Sequence, residues 1–138
     1  MSKFLLFVLF LTVSTTYSQT IIAEDTPQPP KNQPEVFVMV EQMPEFPGGQ
    51  SALVDYLSKN IHYPTQAKEK QIQGKVIVRF TVNSIGKIEN AIIARGVGSG
   101  CDEEALRVVN AMPQWKPGRQ NGKAVNVAFT LPINFSLQ

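Results

Sequence analysis

The last quarter of the chain carries the clearest pattern of apolar and polar positions. Val125, Val127, Phe129, Leu131, Ile133 and Phe135 alternate with Ala124, Asn126, Ala128, Thr130 and Asn134. A period of two over that length predicts a half-buried strand with one apolar side. Pro132 interrupts the even set and has no N–H for a ladder, which favours a sheet edge or a strand end. A second alternation, Val76, Val78, Phe80 and Val82 against Lys75, Arg79 and Thr81, predicts another strand over 75–82. Asn83-Ser84-Ile85-Gly86 then reads as a hairpin connection, with residues 87–95 returning as its partner. Val36 to Glu41 is a shorter strand candidate.

Helical spacing accounts for the rest. Leu53, Tyr56 and Leu57 form one stripe over 51–60, and Tyr63-Pro64 opens a shorter helix. Ala105, Leu106, Val109 and Met112 form the stripe of a third helix over 102–112, with Asp102, Glu103 and Glu104 in its first turn, where the helix dipole favours negative charge. The order is strand, two helices, hairpin, helix, strand. It predicts an α+β domain with a small, mainly antiparallel sheet of three to four strands and helices packed on one face.

The N-terminal pattern is different. Lys3 precedes a ten-residue apolar run, Phe4 to Val13, and the small residues Thr16 and Ser18 follow. That layout predicts a secretory signal peptide over 1–18. The run is about half the roughly 20 residues a spanning helix needs. An uncleaved membrane anchor is the alternative. Residues 19–35 read as a Pro-rich spacer, and 36–138 as the folded domain. Such a segment predicts export from the cytoplasm, with or without a retained anchor.

Charge excludes more than it suggests. The whole chain carries a formal +2, and removing 1–18 takes Lys3 and no acid, leaving +1. Its scattered lysines and arginines make no basic footprint, so no nucleic-acid partner is expected. One His, one Cys and no HExxH or CxxC leave no metal constellation, and no cofactor is expected. Gly96, Gly98 and Gly100 superficially suggest a phosphate cradle. The Rossmann pattern lacks its third glycine offset and its acidic partner, so a strand-to-helix turn explains them better. An enzyme would have to use His62 or Cys101, and nothing local links the two. The expected class is a binding protein, not a catalyst.

Several motifs, in order, resemble the TonB C-terminal domain. They are Tyr63-Pro64, Ala67, Gly74 through Phe80, Gly86, Glu104-Ala105-Leu106, Met112-Pro113-Gln114-Trp115-Lys116-Pro117-Gly118 and Leu131-Pro132-Ile133-Asn134-Phe135. Upstream, Pro44-Glu45-Phe46-Pro47-Gly48-Gly49 looks like the extension common in forms from Bacteroidetes. The resemblance implies a domain in the periplasm, or, with an anchor retained, on the periplasmic face of the inner membrane, that captures an extended segment of a TonB-dependent outer-membrane receptor by strand addition, in the service of transmembrane transport. It maps the binding edge to Lys123, Ala124, Val125, Asn126, Val127, Ala128, Phe129 and Thr130, with His62 and Tyr63 approaching the guest. His62 stands where the family has glutamine. A complete TonB also has a transmembrane helix that couples to the ExbB–ExbD motor and a long periplasmic span. Eleven Pro-rich residues, 24–34, reach roughly 34 Å at about 3.1 Å each, so motor coupling is not expected to carry over. A minimal inner-membrane energy transducer is the alternative reading, and an open strand edge also permits a homodimer.

Overall fold

The computed structural model describes residues 34–137. The signal peptide and nearly all of the spacer expected from the sequence lie outside the described residues. Eight elements follow one another: β1 (Val36–Phe37), α1 (Gln50–Asn60), α2 (Thr65–Glu69), β2 (Gly74–Val82), β3 (Ile88–Arg95), α3 (Cys101–Asn110), β4 (Gly118–Gln120) and β5 (Lys123–Phe135). The α+β expectation holds. Among the described residues no helix is long and apolar enough to cross a membrane.

The sheet is built on β2 and β5. They pair antiparallel in unbroken register from Gly74↔Phe135 to Val82↔Val127. Matching periods bring Val76, Val78, Phe80 and Val82 onto the same face as Val127, Leu131, Ile133 and Phe135, and all eight are buried. Burying a side chain of this size contributes about 1.5–3 kcal/mol relative to leaving it in water, so a one-residue slip of register, which would expose the set, is strongly disfavoured. β3 pairs with the other side of β2 through two register shifts, near Ile77/Val78 and Arg79/Thr81. The strand order is β1-β5-β2-β3, with β4 also paired to β5.

Helices α1 and α3 close the core. In α3, Cys101, Ala105, Val108 and Val109 are buried. Of the expected stripe, Ala105 and Val109 lie in the core and Leu106 and Met112 pack against it; Val108 is also buried. The Tyr56 hydroxyl on α1 donates to the Val108 carbonyl at 2.9 Å and ties the two helices together. Trp115 is 3% exposed. Its ring meets Phe46, Phe80 and Phe129 edge-on, at centroid separations of 5.7, 5.5 and 5.1 Å, an arrangement suited to aromatic quadrupoles. The indole Nε1–H has no acceptor among the described residues.

The sheet differs from expectation at both ends of the domain. The first strand covers only Val36–Phe37, not 36–41, and it pairs in parallel with β5 at Asn126 and Val127. The sheet is therefore mixed and has five strands. The extra strand is β4, which makes a hairpin with β5 through Asn121-Gly122, both at positive φ (52° and 75°). Asn-Gly is a strong two-residue hairpin signal, and at this position it accounts for the added strand. Pro64 sits one position outside α2, in extended conformation, rather than at its first helical residue.

The β2–β3 hairpin is locked from both sides. Asn83 Oδ1 accepts from the Ile85 and Lys87 N–H groups at 3.0 and 2.9 Å. Gly86 has φ +86°, its carbonyl accepts from Trp115 N–H at 2.8 Å, and a Cβ there would lie 1.9 Å from the Trp115 carbonyl oxygen. Gly86→Ala is therefore expected to lower stability by about 3 kcal/mol, combining left-handed strain with displacement of the tryptophan loop. Chemical denaturation checks this. A loss below about 0.5 kcal/mol would show that the loop moves freely.

Candidate functional site

Pro132 decides which way the polar groups of β5 point. It stands opposite Ile77 on β2. A proline cannot donate, so this pair exchanges no mutual hydrogen bonds, and the neighbours Leu131 and Ile133 carry the ladder to β2. With the register unbroken, every odd residue from Val127 to Phe135 directs its N–H and C=O at β2. Every even residue directs them at the opposite flank. The core-facing residues are thus also the residues that hold β2. Ala128, Thr130, Pro132 and Asn134 present their backbone outward.

That outer flank is only partly covered. β1 lies on it but reaches no further than Val127. Beyond that point, among the described residues, no segment pairs with β5 on this side. Ala128 is half-buried, and Thr130, Pro132 and Asn134 are exposed. The carbonyl of Pro132 and the paired donor and acceptor of both Thr130 and Asn134 therefore face water. They form a row about as long as a short strand.

The edge expected from the sequence, Lys123 to Thr130, divides into three parts. Lys123, Ala124 and Val125 are paired with β4. Asn126 and Val127 are opposite β1. Only Ala128 to Thr130 coincide with the uncovered flank, and Phe129 turns its ring into the aromatic cluster. The uncovered part continues past the expected segment to Asn134. Asn126 itself is a junction. Its Oδ1 accepts from Ser84 N–H at 2.9 Å, and its Nδ2 donates to the Glu35 carbonyl at 3.4 Å.

His62 and Tyr63 lie elsewhere. Tyr63 packs edge-on against Phe135, centroids 5.7 Å apart, and its hydroxyl donates to the Ile72 carbonyl. It is thus at the far end of β5, engaged in packing. The His62 side chain is exposed, while its backbone N–H donates to Glu104 Oε1 at 2.9 Å. Glu104 also accepts from Arg107 at 2.8 and 2.5 Å, and Arg107 reaches the Asn60 carbonyl at 2.8 Å. This cluster fastens the α1–α2 connection to α3.

A model of the Gram-negative bacterial TonB protein C-terminal matches residues 59–137. The chain belongs to that family. Protein TonB of Salmonella typhimurium is 37% identical over 81 residues, which are 54% of this chain and 32% of that protein. The chain thus matches about a third of the length of that relative. Two solution structures of the Helicobacter pylori TonB C-terminal domain are similar at lower identity. The one of residues 194–285 is 21% identical with a TM-score of 0.46, covering 62% of this chain and 90% of that one. The one of residues 179–285 is 22% identical with a TM-score of 0.47, covering 67% and 87%. The matched region of this TonB-type domain contains the whole uncovered flank. It does not contain β1, which lies upstream.

The glycine loop and Cys101, considered for other chemistry, are taken up by the fold, while the His62 side chain is exposed. Asp102 Oδ1 accepts from the Val97 and Gly98 N–H groups at 2.9 and 3.2 Å. A Cβ on Gly96 would fall 2.1 Å from Asp102 Oδ2. The glycine loop therefore wraps a carboxylate of its own chain, and two of the donors a phosphate would use are spent. Cys101 is buried, and burial, with the Asp102 and Glu103 carboxylates, pushes its thiol up, away from thiolate character. Among the described residues no group of His, Cys, Asp and Glu could hold a metal ion.

Hydrogen bonds from Arg107, and from the His62 backbone, hold the Glu104 carboxyl below the usual glutamate range. A depressed folded value stabilises the fold above the unfolded pKa of about 4.3. That contribution is lost as pH falls from there through the folded value. Glu104→Gln should therefore flatten the loss of thermal stability on the acid side and leave its shape near pH 7 unaltered. Parallel acid limbs for the two proteins would remove this role from Glu104.

Proposed function

We propose that this domain is a binding module that captures an extended segment of an outer-membrane receptor by adding it as a strand to β5, at the periplasmic side of a TonB-type transport system. The observation that carries the reading is the row of outward backbone groups at Thr130, Pro132 and Asn134 with no strand opposite. A guest paired there gains main-chain hydrogen bonds largely independent of its sequence. Its alternate side chains then meet the sheet's outer face and supply selectivity. The buried thiol of Cys101 and the self-occupied glycine loop support binding over catalysis.

The proposed contact begins at Ala128 and runs toward Asn134. Lys123 to Val127 join it only where the chain's own strands give way. A guest that follows β5 to Phe135 would meet the Tyr63 end of the domain, where exposed His62 is the side chain available to it. No cofactor enters the proposal.

The parity set by Pro132 designates the test. Thr130→Pro removes an outward donor and leaves the β2 ladder intact, so the variant should fold. Each net hydrogen bond is worth about 0.5–1.5 kcal/mol, so affinity for short peptides from the periplasmic N-termini of outer-membrane receptors should fall roughly threefold to tenfold. Val127→Pro removes a donor to β2 instead and should unfold the domain. Titration followed by amide NMR reads both the affinity and the position. Binding without shifts along 128–134, or unaltered affinity in Thr130→Pro, overturns this edge as the site.

A further inference from the structure

β1 lies on the same flank of β5 that the proposed guest would use. It covers Asn126 and Val127 with two residues of parallel pairing. The pairing is small and its surroundings are loose. Val36 is only half-covered, and the side chains that follow, Val38 and Met39, are 79% and 84% exposed. The Asn126 amide reaches the Glu35 carbonyl at 3.4 Å, near the outer limit of a hydrogen bond. Few buried contacts and a two-residue ladder mark a segment that opens at low cost. Meanwhile Asn126 keeps its second hydrogen bond, from Ser84, which does not depend on β1.

We infer that residues 35–39 form a resident strap, an intramolecular competitor that occupies the first positions of the receptor-binding edge and must peel away before a guest can pair along its full length. The inference rests on the strand-addition reading above. Two features favour displacement over a permanent cap. The strap lies outside the family-matched region 59–137, and none of its residues belongs to the buried core. Of its apolar side chains, Val36, Val38 and Met39 have little cover of their own and Phe37 is partly buried, so leaving β5 exposes little apolar surface beyond that one ring. A guest that spans 126–134 then gains the outward positions of Asn126 and Ala128 in addition to Thr130 and Asn134. The strap thus raises the threshold for short or poorly matched segments.

The test uses the full chain and the same receptor-derived peptides. Phe37→Pro removes the strap's donor opposite β5 and should release it. When an occupied edge leaves about a tenth of the molecules open, apparent affinity is about tenfold below intrinsic, so the released variant should bind about tenfold more tightly. A second variant, Val36→Cys with Asn126→Cys, places cysteines at directly paired positions, within disulfide reach. Its oxidised form should lose binding to the first positions of the edge, and reduction of the same protein should restore it. Equal affinities for parent and Phe37→Pro, together with equal affinities for the oxidised and reduced forms, overturn the strap while leaving strand addition standing. Absence of peptide binding in parent, released and reduced proteins alike overturns strand addition and the strap with it. Should Phe37→Pro fail to fold, the oxidised and reduced pair still decides.

Discussion

The unbroken antiparallel ladder between β2 and β5 is the constraint on which the remaining structure depends. It places eight apolar side chains on one face and, through Pro132, assigns the backbone of every β5 residue to one flank or the other. In a strand the direction of the side chain and the direction of the N–H alternate together. Core-facing residues therefore hold the partner strand, and the residues between them hold nothing of their own. A packing requirement on the odd positions thus leaves an unpaired polar row on the even ones. The same geometry explains why a proline is compatible with a strand this central. Its missing donor falls on the flank where no ladder bond was due.

Around this ladder the molecule is closed by close approaches rather than by polar pairing. Trp115 is surrounded by Phe46, Phe80 and Phe129, and its loop is fastened to the β2–β3 turn at Gly86, where no side chain fits. Phe46 brings in the Pro-Gly-Gly segment, since it also packs on Tyr56 of α1 with centroids 5.4 Å apart. Residues far apart in the chain meet through one ring. The paired backbone bonds between Glu45 and Lys116 follow from that meeting.

Groups that suggest chemistry in the sequence are engaged in structural tasks. The loop glycines at 96–100 accommodate the Asp102 carboxylate, Cys101 fills the core at the start of α3, and Glu104 joins Arg107 to the chain leading into α2. Among the described residues, main chain stays unpaired on the outer flank of β5 and on the outer edge of β3, which pairs only with β2. On the proposed strand-addition reading, a free backbone edge accepts extended peptides in general, and selectivity rests on the side chains beside the edge and on what already occupies it. The short β1 strand is such an occupant.

The periodicity of residues 75–82 and 124–135 sufficed by itself to establish the two central strands, their buried faces and the α+β class, because alternation reports burial directly. The motifs from Tyr63 to Phe135 sufficed for the family. Pro132 signalled that one flank of the last strand lacks a partner. The sequence did not show which flank, since that depends on the β2 register, nor that Lys123 to Val125 are consumed by a hairpin and Asn126 and Val127 by β1. The β1 pairings join residues 90 positions apart, and the short β4 carries too few positions to display a period. Local pattern determined what each segment is. Which of its backbone groups remain free was decided only when distant segments competed for the same strand.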